Sequence, residues 1–345
     1  MLVYYPMNHL ISLASKNLSD IVRDAIALKP TEQALIIYDT EAPLTQIVLA
    51  GYREAIPQGI FIDFNTVTPA EIMQSIDGCK AGDLVVLLQS TNFRLNEFRF
   101  RIELFTRNLK TIEHIHLKRI HEDQFECYLN GLAYDPTYYR PRGLGIKKVL
   151  DSAKEIRVTC VGGTQLLYSG EMESSKLNVG DYSAMKNVGG TYPIGEVFTE
   201  AKDLTTVNGE AMIFGYAGED HIVRIVEPFK VVIQKGILTA SDAPAEFQHI
   251  LELIKADEEV YVREFGLGLN PAFGKYSVVN DITAFERQKG MHMSLGAKHA
   301  VYAKQGINRK KGRYQVDIFV DIETIVVDGN ILYTEGDFVI PSIND

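Results

Sequence analysis

The 345-residue sequence has no tryptophan, only three cysteines and no long apolar run. The missing tryptophan excludes nothing. The cysteines, Cys79, Cys127 and Cys160, are far apart, odd in number and form no CxxC pair. That argues against a disulfide framework and for a reducing compartment, the cytoplasm. No stretch approaches the ~20 apolar residues of a membrane span. The opening MLVYYPMNHLI has neither a basic n-region nor a cleavage site, so no membrane partner and no secretory leader are expected. Positive charge is also short: 35 Lys and Arg stand against 45 Asp and Glu, a formal net charge of −10. Nucleic acid is thereby disfavoured as the main partner. No GxGxxG follows a strand pattern and no GxxxxGK[ST] occurs, which removes the dinucleotide fingerprint and the P-loop.

What is present is the balance of a soluble globular protein, 46% apolar and 23% charged, in a chain long enough for two domains. Residues 12–28 have helical periodicity, 33–39 form an apolar strand pattern ending in Asp39, and a second helix is expected over 42–56. Strands at 59–64 and 83–89 flank a helix that begins at Pro69 with Thr68 as its cap. This alternation predicts a doubly wound parallel sheet over residues 1–154. Asn92 to Lys110 is a basic, aromatic-rich helix pattern carrying Arg94, Arg99, Arg101 and Arg107. His114 and His116 form an H-x-H that, on a strand, would share a face. A turn-rich link is expected over 134–143, then a helix over 144–154.

From Glu155 the pattern changes to short strands: 156–160, 165–168, 210–214, 223–226, 229–234, 314–321 and 324–327, with one helix over 244–255. Asp328-Gly329 between two apolar runs is the strongest hairpin signal. Residues 155–345 therefore read as an α+β domain with a mainly antiparallel sheet, and the chain as α/β overall.

Four segments of this second half carry chemistry. Gly195-Glu196-Val197-Phe198 follows a Gly- and Pro-rich entry that holds the acid on a stiff turn. Arg263-Glu264-Phe265-Gly266, Gly290-Met291-His292-Met293 and Tyr314-Gln315-Val316-Asp317 each set a metal-type side chain beside glycine or inside an apolar strand. Strand alternation places Gln315, Asp317 and Phe319 on one face, and an acid there needs a polar cavity or an ion. Glu196, Glu264, His292 and Asp317 together offer oxygen and nitrogen donors, which suit Zn, Co or Mn better than Mg or Ca. Taken singly, each has a structural explanation: Glu196 can cap a turn, Glu264 can pair with Arg263, and His292 can be a packed core residue.

In order and wording these segments resemble the aminopeptidase T/aminopeptidase S family of metallo-aminopeptidases, the thermophilic-type leucyl aminopeptidases. The matching stretches are GEVFTEAKD (195–203), REFGLGLNP (263–271), GMHMSLG (290–296) and YQVD (314–317). The similarity is continuous over about 155–340 and looser before that. The resemblance implies a divergent metal-dependent aminopeptidase-like hydrolase, releasing N-terminal residues from peptides or cleaving a related amide. It implies a homodimer, and one or two divalent ions held by Glu196, Glu264, His292, Asp317 and the position of Gln315. Glu264 and His299 are the implied catalytic groups, while Glu200 lies outside the implied ligand positions and is expected in solvent. Two departures stand out: Gln315 replaces a histidine two residues before the last aspartate, and His299 replaces a tyrosine seven residues after the first histidine. A related branch comprises iron-dependent ring-cleaving dioxygenases of dihydroxypyridine, with two histidines and an aspartate. The alternative reading is a single-metal or non-catalytic relative that binds peptides or small molecules.

Overall fold

The computed structural model describes residues 4–93, 100–297, 302 and 314–340, so Arg94, Arg99 and His299 lie outside the described residues. The chain divides into two compact units. One comprises Met1–Arg140, Asn178–Ile194 and Val278–Ala284, the other Pro141–Leu177, Gly195–Ser277 and Phe285–Asp345. The sequence-based division, 1–154 and 155–345, is a single cut, whereas the chain here returns twice to the first unit.

The first unit is built on a parallel sheet of β1 (Ala34–Tyr38), β2 (Ile60–Asp63), β3 (Leu84–Leu88), β4 (Lys110–His114) and β8 (Gly189–Thr191), in the order β2-β1-β3-β4-β8. Every residue of β3 is buried, as a central strand with both faces covered must be. Burying each of these Leu and Val side chains contributes about 2 kcal/mol. Helices α1 (Tyr4–Asp20), α2 (Pro43–Ala55), α3 (Pro69–Asp77), α4 (Phe100–Thr106) and α5 (Phe125–Gly131) belong to this unit. The expected cap of α3 is present: Thr68 Oγ1 accepts from Glu71 N–H at 3.3 Å, and Thr68 N–H donates to Glu71 Oε2 at 2.7 Å.

Several boundaries differ from expectation. Helix α1 begins eight residues earlier, and it ends in a widened turn in which Ile26 N–H donates to Ile21 O at 2.9 Å. Residues 134–143 are no link, because a helix, α6 (Pro136–Ser152), runs through them with Pro141 inside. Asp135 is the reason: its Oδ1 accepts from Thr137 N–H at 2.8 Å and Pro136 sets the first turn, a start signal hidden among turn-forming residues. His114 and His116 do not share a strand face either, since β4 ends at His114 and His116 has a left-handed backbone (φ 58).

The second unit carries an antiparallel sheet. Its strands are β5 (Ile156–Thr159), β6 (Gln165–Tyr168), β7 (Lys176–Asn178), β9 (Glu196–Glu200), β10 (Val207–Ala217), β11 (Val223–Gln234), β12 (Ile237–Thr239), β13 (Val262–Gly268), β14 (Gly290–Gly296), β15 (Gln315–Val320), β16 (Thr324–Val327), β17 (Asn330–Thr334) and β18 (Asp337–Phe338). The order is β18-β17-β16-β5-β6-β10-β15-β14-β13-β9-β7, with β11 against β10 and β12 against β11. Helix α7 (Ala245–Lys255) buries Phe247, Ile250, Leu251 and Ile254, an i, i+3, i+4, i+7 stripe. The stretches 223–226 and 229–234 are one strand, β11; what separates them is a bulge where Ile213 pairs with Phe229 but Gly215 with Ile225. Asp328 and Gly329 (φ 47 and 83) make the two-residue hairpin turn from β16 to β17.

The α/β architecture, with a parallel-sheet unit and a separate antiparallel α+β unit, is the one expected from the residues. No helix among the described residues is long and apolar enough to cross a membrane.

Candidate metal centre

Four adjacent strands, β9, β13, β14 and β15, supply the candidate residues, and their register decides which side chains meet. Gly268 pairs with Glu196, Glu264 with Glu200, Gly266 with His292, and Ser294 with Asp317. Directly paired residues of an antiparallel ladder share a face, as do residues two apart. One face of this sheet therefore carries Glu196, Glu200, Glu264, His292 and Asp317 together. The opposite face carries Val197, Phe265, Leu267, Met291, Met293, Val316 and Ile318, all buried.

Two glycines make the cluster possible. A Cβ on Gly266 would lie 2.1 Å from His292 Nε2, so a side chain there and the imidazole cannot coexist. A Cβ on Gly268 would lie 2.0 Å from the carbonyl oxygen of Gln288, so its absence lets the 287–288 backbone press against β13. Asn270 N–H donates to Arg287 O at 2.9 Å and anchors that segment.

His292 Nε2 lies 3.3 Å from Glu196 Oε1 and 3.1 Å from Glu264 Oε1. One donor atom from each of these three buried residues falls within 4.8 Å of the others, a spacing that a divalent ion can bridge. Burial disfavours an imidazolium at His292. The hydrogen bonds and charges of Glu196 and Glu264 outweigh that and hold its pKa well above the ordinary histidine value. Asp317 has its pKa pushed up to about 7, first by desolvation and then by the charge of Glu264, against the pull of His292. Such a cluster needs added positive charge, and the donor set of two carboxylates and an imidazole suits a divalent transition ion.

The sequence-derived residues fare differently. Glu196, Glu264 and His292 come together, and Asp317 lies beside them on the same face. Gln315 is two residues further along β15, paired with Gly296, and exposed. The Arg263 explanation for Glu264 does not apply, because Arg263 binds Glu258 at 2.9 Å. Glu200 is a correction: expected in solvent, it is 1% exposed, because alternation from Glu196 through Phe198 returns it to the same face.

Two residues were missed, Glu286 and Arg287. Arg287 is buried, with Nη1 2.9 Å from Glu196 Oε2 and in closer contact with Glu286 Oε1. Desolvation and the neighbouring acids push the Glu286 carboxyl well above its ordinary pKa, against the charge of Arg287. The available signal was a charge count, since acids converging on one cavity call for a cation nearby.

The chain shares its fold with two known enzymes. One is the 2,5-dihydroxypyridine dioxygenase of Pseudomonas putida, at a TM-score of 0.62 and 14% identity, covering 97% of this chain and 98% of that one. The other is AmpT, an aminopeptidase T of Thermus thermophilus, at 0.59 and 14%, covering 95% and 99%. No protein-family model matches this chain, and no curated protein matches it in sequence. At such identity the likeness concerns the fold.

Proposed function

We propose that this protein is a metal-dependent hydrolase of the aminopeptidase type, acting on the N-terminal amide of peptides or on a related small amide. One observation carries the reading: three buried donor atoms of Glu196, Glu264 and His292 lie within 4.8 Å of one another on one sheet face. The Gly266 gap that admits the imidazole supports it, since it preserves that geometry and fills no core. When bound, Zn, Co or Mn supplies Lewis acidity at that point. The chain's own residues do the rest. Glu196, Glu264 and His292 would hold the ion, and the apolar rear face keeps them in register. Asp317, half-buried beside them on the same face, would take and return a proton close to the reacting centre. A homodimer that encloses the centre belongs to the same proposal, and light scattering would report it.

The test strips the purified protein with a chelator, then restores Zn, Co or Mn and follows leucine 4-nitroanilide cleavage. Turnover should return with metal and be lost in Glu264→Gln. Full metal loading without cleavage of any amino-acid anilide would sink the hydrolase reading. The fold likeness to a dioxygenase supplies the second reading. Non-haem iron oxygenases use two histidines and one carboxylate, and the described cluster offers one imidazole. Ring cleavage of 2,5-dihydroxypyridine by iron-loaded protein would favour that reading instead.

A further inference from the structure

Arg287 sits inside the acid cluster, and its placement is built rather than incidental. Its backbone is clamped: Arg287 O accepts from Asn270 N–H at 2.9 Å, and Gln288 N–H donates to Phe285 O at 2.8 Å. The segment lies so close to β13 that only a glycine at 268 leaves room for it. From that point the side chain runs into the buried face and ends between Glu196 and Glu286. The guanidinium is charged at any working pH, and its Nη1 meets the two carboxylates as charge contacts, without an aligned hydrogen bond.

The two oxygens of Glu196 are divided. Oε1 faces His292 Nε2 at 3.3 Å, on the side shared with Glu264. Oε2 faces Arg287 Nη1 at 2.9 Å. A carboxylate that bridges two metal ions through both of its oxygens gives one to each. Here the second oxygen already has a permanent organic cation, which also contacts Glu286. A second divalent ion at this position would meet the guanidinium at short range among buried side chains, where like charges repel strongly.

We propose that Arg287 is a resident second cation of the centre, which limits the Glu196–Glu264–His292 cluster to a single divalent ion. The inference rests on the metal-centre reading above and adds what that reading leaves open, the number of ions and the residue that sets it.

The experiment is metal content by plasma mass spectrometry after equilibrium dialysis against excess Zn, for wild type, Arg287→Lys and Arg287→Met. One ion per chain is expected in wild type and in Arg287→Lys, which keeps the charge. Two are expected in Arg287→Met, which removes the charge but fills the space. One ion in a folded Arg287→Met, or two in wild type, overturns the role of Arg287 and leaves the metal centre standing. No ion in wild type overturns both. Should Arg287→Met fail to fold, Mn-saturated wild type decides by electron paramagnetic resonance. An isolated six-line signal is the expected result, and the spectrum of an exchange-coupled Mn pair overturns the proposal.

Discussion

Two buried histidines, one in each unit, show how opposite environments act on the same side chain. His114 and His292 are both wholly inaccessible to solvent. His114 closes β4 and is held by two phenols, with Nε2 2.8 Å from Tyr52 Oη and Nδ1 3.0 Å from Tyr128 Oη. No charge faces it in those contacts, and burial alone pulls its pKa down to about 3. His292 is buried as deeply, yet its pKa is raised, because its Nε2 contacts two carboxylates. Depth of burial therefore does not separate a structural histidine from a candidate ligand; the charge of its partners does. His114 satisfies both nitrogens inside a neutral network, whereas His292 Nδ1 has no hydrogen-bond partner among the described residues.

The comparison is broken most sharply by exchanging what the two histidines are asked to do. His292→Ala should lower Zn affinity by at least about 100-fold, since loss of a ligand exceeds the ~10–100-fold typical of outer-shell losses. Gly266→Ala should approach the same loss without touching a ligand, because its Cβ would lie 2.1 Å from the imidazole nitrogen and displace the ring. Competition with a chromophoric chelator measures both. His114→Ala should leave Zn affinity unchanged. An affinity that falls alike in all three variants would mean that the centre is misplaced.

A smaller effect, on stability, belongs to His114. His114→Ala empties a buried site and strands two tyrosine hydroxyls, a cost of about 3 kcal/mol in urea unfolding. Its pH dependence has a definite sign. The folded-state pKa of about 3 lies below the ordinary 6.5, so unfolding takes up a proton between those values. Stability from this residue is complete above pH 6.5 and is lost as pH falls, by about 1.4 kcal/mol per unit. His114→Gln, which hydrogen-bonds without titrating, should flatten that part of the slope between pH 6.5 and 4.5. Equal slopes for the two proteins would show that His114 is not held neutral.

Much of this was readable in the residues, and the failures have physical causes. The βαβ alternation of the first unit is a strong signal because each parallel strand is continuously apolar, as in Leu84–Leu88. The Asp328-Gly329 hairpin followed from the positive φ that both turn positions require. Helix α6 was hidden because Pro136, Pro141 and Gly143 read as turn formers. Pro136 in fact occupies the first helical turn behind the Asp135 cap, and the helix tolerates Pro141. Glu196, Glu264, His292 and Asp317 stood out because each is a polar group embedded in an apolar strand. Glu286 and Arg287 did not, because they precede Gly290 in a segment without period, where charged residues are ordinarily solvated. Only the backbone contact with Gly268 and Asn270 turns them inward.

The smallest expected effect concerns Gln315, which the resemblance sets where a histidine ligand would stand. Were that histidine the missing donor of a second ion, Gln315→His would restore a second tight site. The register argues otherwise. Asp317 pairs with Ser294 beside the cluster, while Gln315 pairs with Gly296 one repeat further on, and its side chain is exposed. Successive residues on one strand face are roughly 7 Å apart, more than a metal–ligand bond can span from an ion centred on His292. The second cation position is in addition held by Arg287 against Glu196 Oε2 at 2.9 Å. Gln315→His alone should therefore leave the ion count unchanged and alter Zn affinity by less than about threefold, well below the ~10–100-fold of outer-shell losses. In an Arg287→Met background the same substitution should likewise leave the second ion unchanged, because Glu196 pairs with Gly268 at the end of β13 away from the Gln315–Gly296 pair. A second tight ion gained by Gln315→His on its own would place the limit in the donor set and return Arg287 to a structural role.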